Sequence, residues 1–151
     1  MLRNVKSSMK RILNVDDDPD QIYAVKRRLE KVGDYEVDGA ESGKQCLEWL
    51  KRHGKPDLIL LDIMMPEMNG WQVFKQLRLH DEWKDIPIVF LTARTDSFSK
   101  GFGKIISDAY IEKPFDIRSL QNKIEEILAH PYQLSETKKQ IIDDMMEKAI
   151  K

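Results

Sequence analysis

The sequence predicts an α/β fold: a doubly wound parallel sheet of five strands with helices on both faces and one extra helix at the C-terminal end. Short apolar runs alternate with amphipathic stretches five times, the pattern of successive βαβ units. The 151 residues suit one domain of ordinary size with a short appendage. Apolar residues at 41% beside charged residues at 34% support a packed core under a well solvated surface.

Residues 1–9 are basic but lack the apolar middle of a signal peptide, and they are expected to be a frayed tail. The first strand is placed at Arg11 to Val15. In the helix that follows, Ile22, Val25, Leu29 and Val32 share one face, while Lys26, Arg27, Arg28 and Lys31 point outward. Asp18 caps that helix, Pro19 takes its first position, and Gln21 stands where a capping box places its return partner. Tyr35 to Ala40 forms the second strand. Ser42 and Gln45 then repeat the start signal before Cys46, Leu47 and Leu50.

Leu58 to Leu61 is the third strand and Ile86 to Leu91 the fourth. The helix over residues 95–106 has the weakest signal, because Gly101 and Gly103 each cost roughly 1 kcal/mol relative to alanine. It is expected to be short or irregular. Ala109 to Glu112 is the fifth strand, and Asp116 opens a helix carrying Ile117, Leu120, Ile124, Ile127 and Leu128. His130-Pro131 breaks the pattern, and Ser135 restarts it in a charged helix bearing Ile141, Ile142, Met145, Met146, Ala149 and Ile150. The chain thus divides into a tail at 1–9, a domain at 10–130 and a helical extension at 131–151. The stripe of that last helix fits packing on its own domain and pairing with a second copy as a homodimer equally well.

A net charge of −1 gives no global pull toward nucleic acid or anionic lipid, and too few residues follow the fifth helix for a DNA-binding module. No apolar run is long enough to cross a bilayer, so no membrane partner is expected. Cys46 has no second cysteine to join, which suits a reducing, cytoplasmic setting and a plain core role.

The chemistry gathers at one edge of the expected sheet. Asp62 ends the apolar run Leu58-Ile59-Leu60-Leu61, Asp16 and Asp17 follow the first strand, Thr92-Ala93 the fourth, and Lys113-Pro114 the fifth. Sites in open parallel sheets form beyond the carboxyl ends of the strands. Three carboxylates brought together there repel by several kcal/mol at the effective dielectric of a protein surface, and a divalent cation turns that penalty into binding. Magnesium suits best, since it takes one or two carboxylates and completes its octahedron with water and phosphate oxygens. An aspartate nucleophile, a metal site, a hydroxyl and an ammonium are the parts that phosphoryl transfer requires.

In this set of motifs, Val15-Asp16-Asp17-Asp18-Pro19, Leu61-Asp62 with Met65-Pro66 and Asn69-Gly70, Leu91-Thr92-Ala93 and Lys113-Pro114-Phe115, the chain resembles the receiver domains of two-component response regulators over about residues 10–130. The resemblance implies a flavodoxin-like strand order 2-1-3-4-5 and phosphorylation of Asp62 by a sensor histidine kinase or a His-phosphotransfer protein. It implies Asp17 as a direct magnesium ligand, Asp16 acting largely through a metal-bound water, and the Met64 carbonyl as a further ligand beside Asp62. Thr92, Ala93 and Lys113 would hold phosphoryl oxygens, with Lys113-Pro114 joined by a cis bond. Tyr110 would be the aromatic switch paired with Thr92, while Met64 and Arg94 would tune water access. Output would pass through the face built from the 95–106 helix, the fifth strand and the fifth helix to a downstream protein target, or the chain would act as a phosphorelay intermediate or phosphate sink. On this reading it catalyses only its own phosphorylation and dephosphorylation.

Plainer readings bound these roles. Asp18 is explained as a cap by Pro19 and Gln21, the Lys26-Arg27-Arg28 run as a solvated face, and Met64, Met65 and Met68 as a packed loop. His53, His80 and His130 are scattered, with no metal-binding spacing. A phosphatase of the haloacid dehalogenase type would use Asp16 as nucleophile, but it wants a small or β-branched residue where Asp20 stands.

Overall fold

The computed structural model describes residues 9–93 and 107–130, together with 101, 103, 104, 140, 142–144 and 147. Five strands, β1 (Lys10–Val15), β2 (Tyr35–Ala40), β3 (Leu58–Leu61), β4 (Ile88–Thr92) and β5 (Ala109–Glu112), form one parallel sheet in the order β2-β1-β3-β4-β5. The described helices are α1 (Pro19–Val32), α2 (Gly43–His53), α3 (Gly70–Leu79) and α4 (Ile117–Ala129).

Strand side chains alternate between two cores. Ile59 and Leu61 of β3, with Ile88 and Phe90 of β4, pack among Cys46 and Leu50 of α2 and Trp71, Phe74 and Leu77 of α3. Leu58 and Leu60, with Val89 and Leu91, pack among Val25 and Leu29 of α1 and Leu120, Ile124 and Ile127 of α4. A central parallel strand is therefore apolar at every position, and all four residues of β3 are buried. Cys46 is a core residue, as expected, and burial pushes its thiol up to about 12.

Differences from the sequence reading are local. β4 begins at Ile88 because Pro87 has no N–H for the ladder, and the Ile86 N–H closes a turn on the Trp83 carbonyl at 3.1 Å. Asp18 caps α1 through the Asp20 N–H at 2.9 Å, whereas the Gln21 N–H donates to the Asp18 carbonyl at 3.1 Å. Ser42 accepts from the Gln45 N–H at 3.1 Å, and the Gln45 side chain accepts from Glu41, one residue before the cap. The full capping box lies at α3, where Asn69 and Gln72 each accept from the other's backbone N–H.

Of the 95–106 helix, Gly101, Gly103 and Lys104 are helical and the rest lies outside the described residues. In the C-terminal extension Ile142 is 2% exposed and belongs to the core shared by α2 and α3. Ile142, at least, packs on the chain's own domain. Ile141, Met145, Met146, Ala149 and Ile150 lie outside the described residues.

Candidate functional site

The strand ends aim the acids. The Asp62 N–H donates to the Val15 carbonyl at 2.9 Å and the Asp16 N–H to the Ala40 carbonyl at 3.0 Å, each carrying strand pairing one residue past the last ladder position. Both carboxylates are thereby held at the carboxyl edge, Asp62 at 7% exposure and Asp16 at 4%, with Asp17 exposed beside them. Ligand oxygens of all three lie within 4.8 Å of one another.

Lys113 closes the site from the far strand. Its backbone N–H donates to the Thr92 carbonyl at 2.9 Å, and its bond to Pro114 is cis. Its Nζ lies 2.5 Å from Asp16 Oδ2 and 3.7 Å from Asp62 Oδ2. Asp16 Oδ1 accepts from the Asp18 N–H at 2.9 Å, so both Asp16 oxygens are engaged. Asp62 Oδ1 accepts from the Met64 N–H at 3.2 Å, and the buried Thr92 side chain also bonds this carboxylate.

Burial lifts the Asp62 carboxyl above its ordinary value; the Thr92 and Met64 hydrogen bonds and the Lys113 charge pull it down, while the Asp16 charge pushes it up. The balance remains upward. Three acids around one ammonium leave a local excess of negative charge, and this all-oxygen donor set fits a hard divalent cation.

Gly70 holds the loop against the strand end. A Cβ at this position would overlap the Asp62 carbonyl oxygen and sit 2.7 Å from Ile63 Cα, and the Gly70 N–H donates to Ile63 at 2.9 Å. Between them Glu67 takes a left-handed φ of 66°. Met65 is buried and Met68 packs on the core, as expected for a packed loop. Met64 departs from that reading, at 59% exposure. Sequence spacing could not separate these methionines, because the loop's path decides which of them turns inward.

Tyr110 is half-buried, with its ring 6.2 Å from Phe90, and Ala93 is exposed. Arg94 lies outside the described residues. None of the three histidines joins the acidic group: His53 packs against Trp49, His80 stacks on Trp83, and His130 follows α4 as its cap. The basic run of α1 is a solvated face, with Arg27 and Arg28 exposed, and it also makes surface contacts. Lys26 pairs with Glu30 at 2.8 Å, and Arg28 lies over the ring of Phe115, two residues past Lys113.

The family model described as the response regulator receiver domain matches residues 12–125. PilH of Pseudomonas aeruginosa is 38% identical over 122 residues, covering 80% of this chain and 99% of that protein. Response regulator Rre1 of Synechocystis is 37% identical over 120 residues, covering 78% of this chain and 51% of that protein, and PhoP of Bacillus subtilis is 38% identical, covering 79% and 48%. The chain thus spans about half the length of Rre1 and PhoP and nearly all of PilH. Among solved structures, chemotaxis protein CheY4 of Vibrio cholerae superposes with a TM-score of 0.71 at 30% identity, covering 80% of this chain and 99% of that one. Response regulator TrrA of Thermotoga maritima, in complex with Mg(2+)-BeF, gives 0.68 at 36% identity, covering 79% and 99%.

Proposed function

The chain belongs to the response regulator receiver domain family, and on that footing we propose that residues 10–130 act as a cytoplasmic phosphoryl switch with Asp62 as the acceptor. The observation that carries this reading is a buried strand-end carboxylate within 4.8 Å of two further acids and 3.7 Å from a lysine ammonium. Family membership makes the domain a signalling module of two-component systems.

Asp16, Asp17 and Asp62, with the Met64 carbonyl, are the groups that would hold Mg2+, Asp17 directly and Asp16 largely through water. When bound, the ion neutralises charge on the phosphoryl oxygens. Asp62 Oδ attacks phosphorus of a phosphohistidine on a kinase or His-phosphotransfer protein. The new O–P bond forms as the N–P bond breaks, and the electron pair returns to the imidazole. Lys113 and Thr92 already touch the Asp62 carboxylate and favour its charged form against the lift from burial.

After transfer, the Thr92 hydroxyl, the Ala93 backbone N–H and the Lys113 ammonium take phosphoryl oxygens. Motion of Thr92 frees space for the Tyr110 ring. The face built from the 95–106 segment, β5 and α4 is then altered for a downstream protein, or the phosphoryl group passes onward in a relay. Arg94 and Met64 set water access to the acyl phosphate, whose hydrolysis the domain itself promotes. The haloacid-dehalogenase alternative asks Asp16 to attack, and here Asp16 is tied to Lys113 and the Asp18 N–H.

Incubation with acetyl phosphate and Mg2+ followed by intact-mass measurement tests this reading. One added phosphoryl group, absent in Asp62→Asn, is the expected result. Turnover without accumulation would mark a phosphatase, and no reaction would leave a binding module with an inert site.

A further inference from the structure

Beside Tyr110 lies a feature that the site chemistry does not use. Gly103 is buried in helical backbone, where glycine is disfavoured relative to alanine. A Cβ there would overlap Cδ2 of the Tyr110 ring and lie 2.7 Å from its Cε2. The ring therefore rests on bare backbone. Ser107, 5% exposed, fixes that backbone: its N–H donates to the Gly103 carbonyl at 3.0 Å, and its hydroxyl reaches both the Gly103 carbonyl and, at 2.8 Å, the carbonyl of Ala109. A hydroxyl has one hydrogen to donate, so these two carbonyls compete for it. One acceptor belongs to the 95–106 segment and the other to β5, one residue before Tyr110.

We propose that Gly103 is the seat of the Tyr110 ring, and that Ser107 holds that seat against β5. Both are positioning residues acting through Tyr110. The part that concerns signalling rests on the phosphoryl-switch reading of Asp62, whereas the seat itself does not. The missing side chain at 103 is what admits the ring. A methyl group there drives the ring outward without touching Asp16, Asp17, Asp62, Thr92 or Lys113. Phosphorylation and ring position then come apart.

The full chain labelled with 3-fluorotyrosine, its Tyr110 fluorine resonance assigned by its loss in Tyr110→Phe, tests this. In Gly103→Ala the resonance is expected to move and to broaden strongly with a soluble paramagnetic reagent. Acetyl phosphate with Mg2+ should still add one phosphoryl group, yet shift the displaced resonance far less than in the parent protein. A Tyr110 resonance unchanged by Gly103→Ala would overturn the seat. If Gly103→Ala fails to fold, the double variant Gly103→Ala/Tyr110→Ala decides: recovered folding supports the seat, and continued failure overturns it. Thermal melts add a sign test. Gly103→Ala should raise Tm in a Tyr110→Ala background, through helix propensity, and fail to do so when the ring is present. Should the parent protein take up no phosphoryl group, the phosphoryl-switch reading fails, while the unphosphorylated resonance still judges the seat.

Discussion

Asp62 holds a carboxylate where the fold penalises charge. Its folded-state pKa lies above the ordinary value because burial outweighs the help of Thr92, Lys113 and the Met64 N–H. The associated stability is complete below the ordinary carboxylate pKa and is lost as pH rises through the raised one. Metal-free protein should therefore gain Tm on Asp62→Asn at neutral pH, with the gain fading toward acid; thermal melts across that range in chelator check it. A gain that persists undiminished in acid would place its cause elsewhere. Added Mg2+ should stabilise the parent more than the variant, since binding to the folded state adds to stability. At this scale the sequence was legible for residues whose role follows from order along the chain: Asp16, Asp17, Asp62, Thr92 and Lys113 do meet. It was silent on pairings set by side-chain reach, such as Lys113 choosing Asp16 at 2.5 Å over Asp62 at 3.7 Å, or Arg28 covering Phe115.

The junction between β3 and α3 shows what an element contributes that its residues alone do not. Asn69 and Gln72 close a capping box, and Gly70 brings the first turn of α3 against the backbone of Asp62 and Ile63. Because the obstacle to a Cβ is backbone rather than a pliant side chain, Gly70→Ala cannot be absorbed by a rotamer change. Overpacking of this kind costs about 1–3 kcal/mol. A loss of that size in urea denaturation is expected, together with slower phosphorylation by acetyl phosphate as the Asp62 backbone shifts. Wild-type rates in a destabilised Gly70→Ala protein would separate the junction from the chemistry. Periodicity located four of the strands to within a residue, and caps located the starts of α1, α2 and α4, since Asp18, Ser42 and Asp116 each mark one; α3 was not placed, its Asn69 cap having been read only as part of the loop after Asp62. β4 was placed two residues early because an apolar run does not reveal where Pro87 interrupts the ladder.

Across the whole molecule, the end opposite the acids is tied by charge. Arg78 at the end of α3 donates to the Lys84 and Ile86 carbonyls at 3.0 and 2.8 Å and lies 3.5 Å from Asp108, which accepts from the Ile88 N–H at 2.8 Å. These side chains, 6% and 2% exposed, join α3, the start of β4 and the approach to β5. Removing one partner strands the other in the interior, so Arg78→Leu should cost roughly 3–5 kcal/mol in urea denaturation. Neither residue stood out in the sequence, because an Arg and an Asp thirty positions apart declare no partnership until the sheet brings them together. The C-terminal extension was ambiguous for a related reason: an amphipathic stripe shows that a face is buried, not what buries it. Ile142, 2% exposed within the core of α2 and α3, identifies the cover as this chain's own domain. Ile142→Ala should then lower stability by about 2–5 kcal/mol, the range for truncating a buried isoleucine. Sedimentation measures the competing outcome, because a residue that served only to pair two copies would leave the unfolding free energy of the monomer untouched and lower the dimer fraction instead. Loss of monomer stability without change of mass is the expected result, and it would make the extension a working part of the fold that carries Asp62.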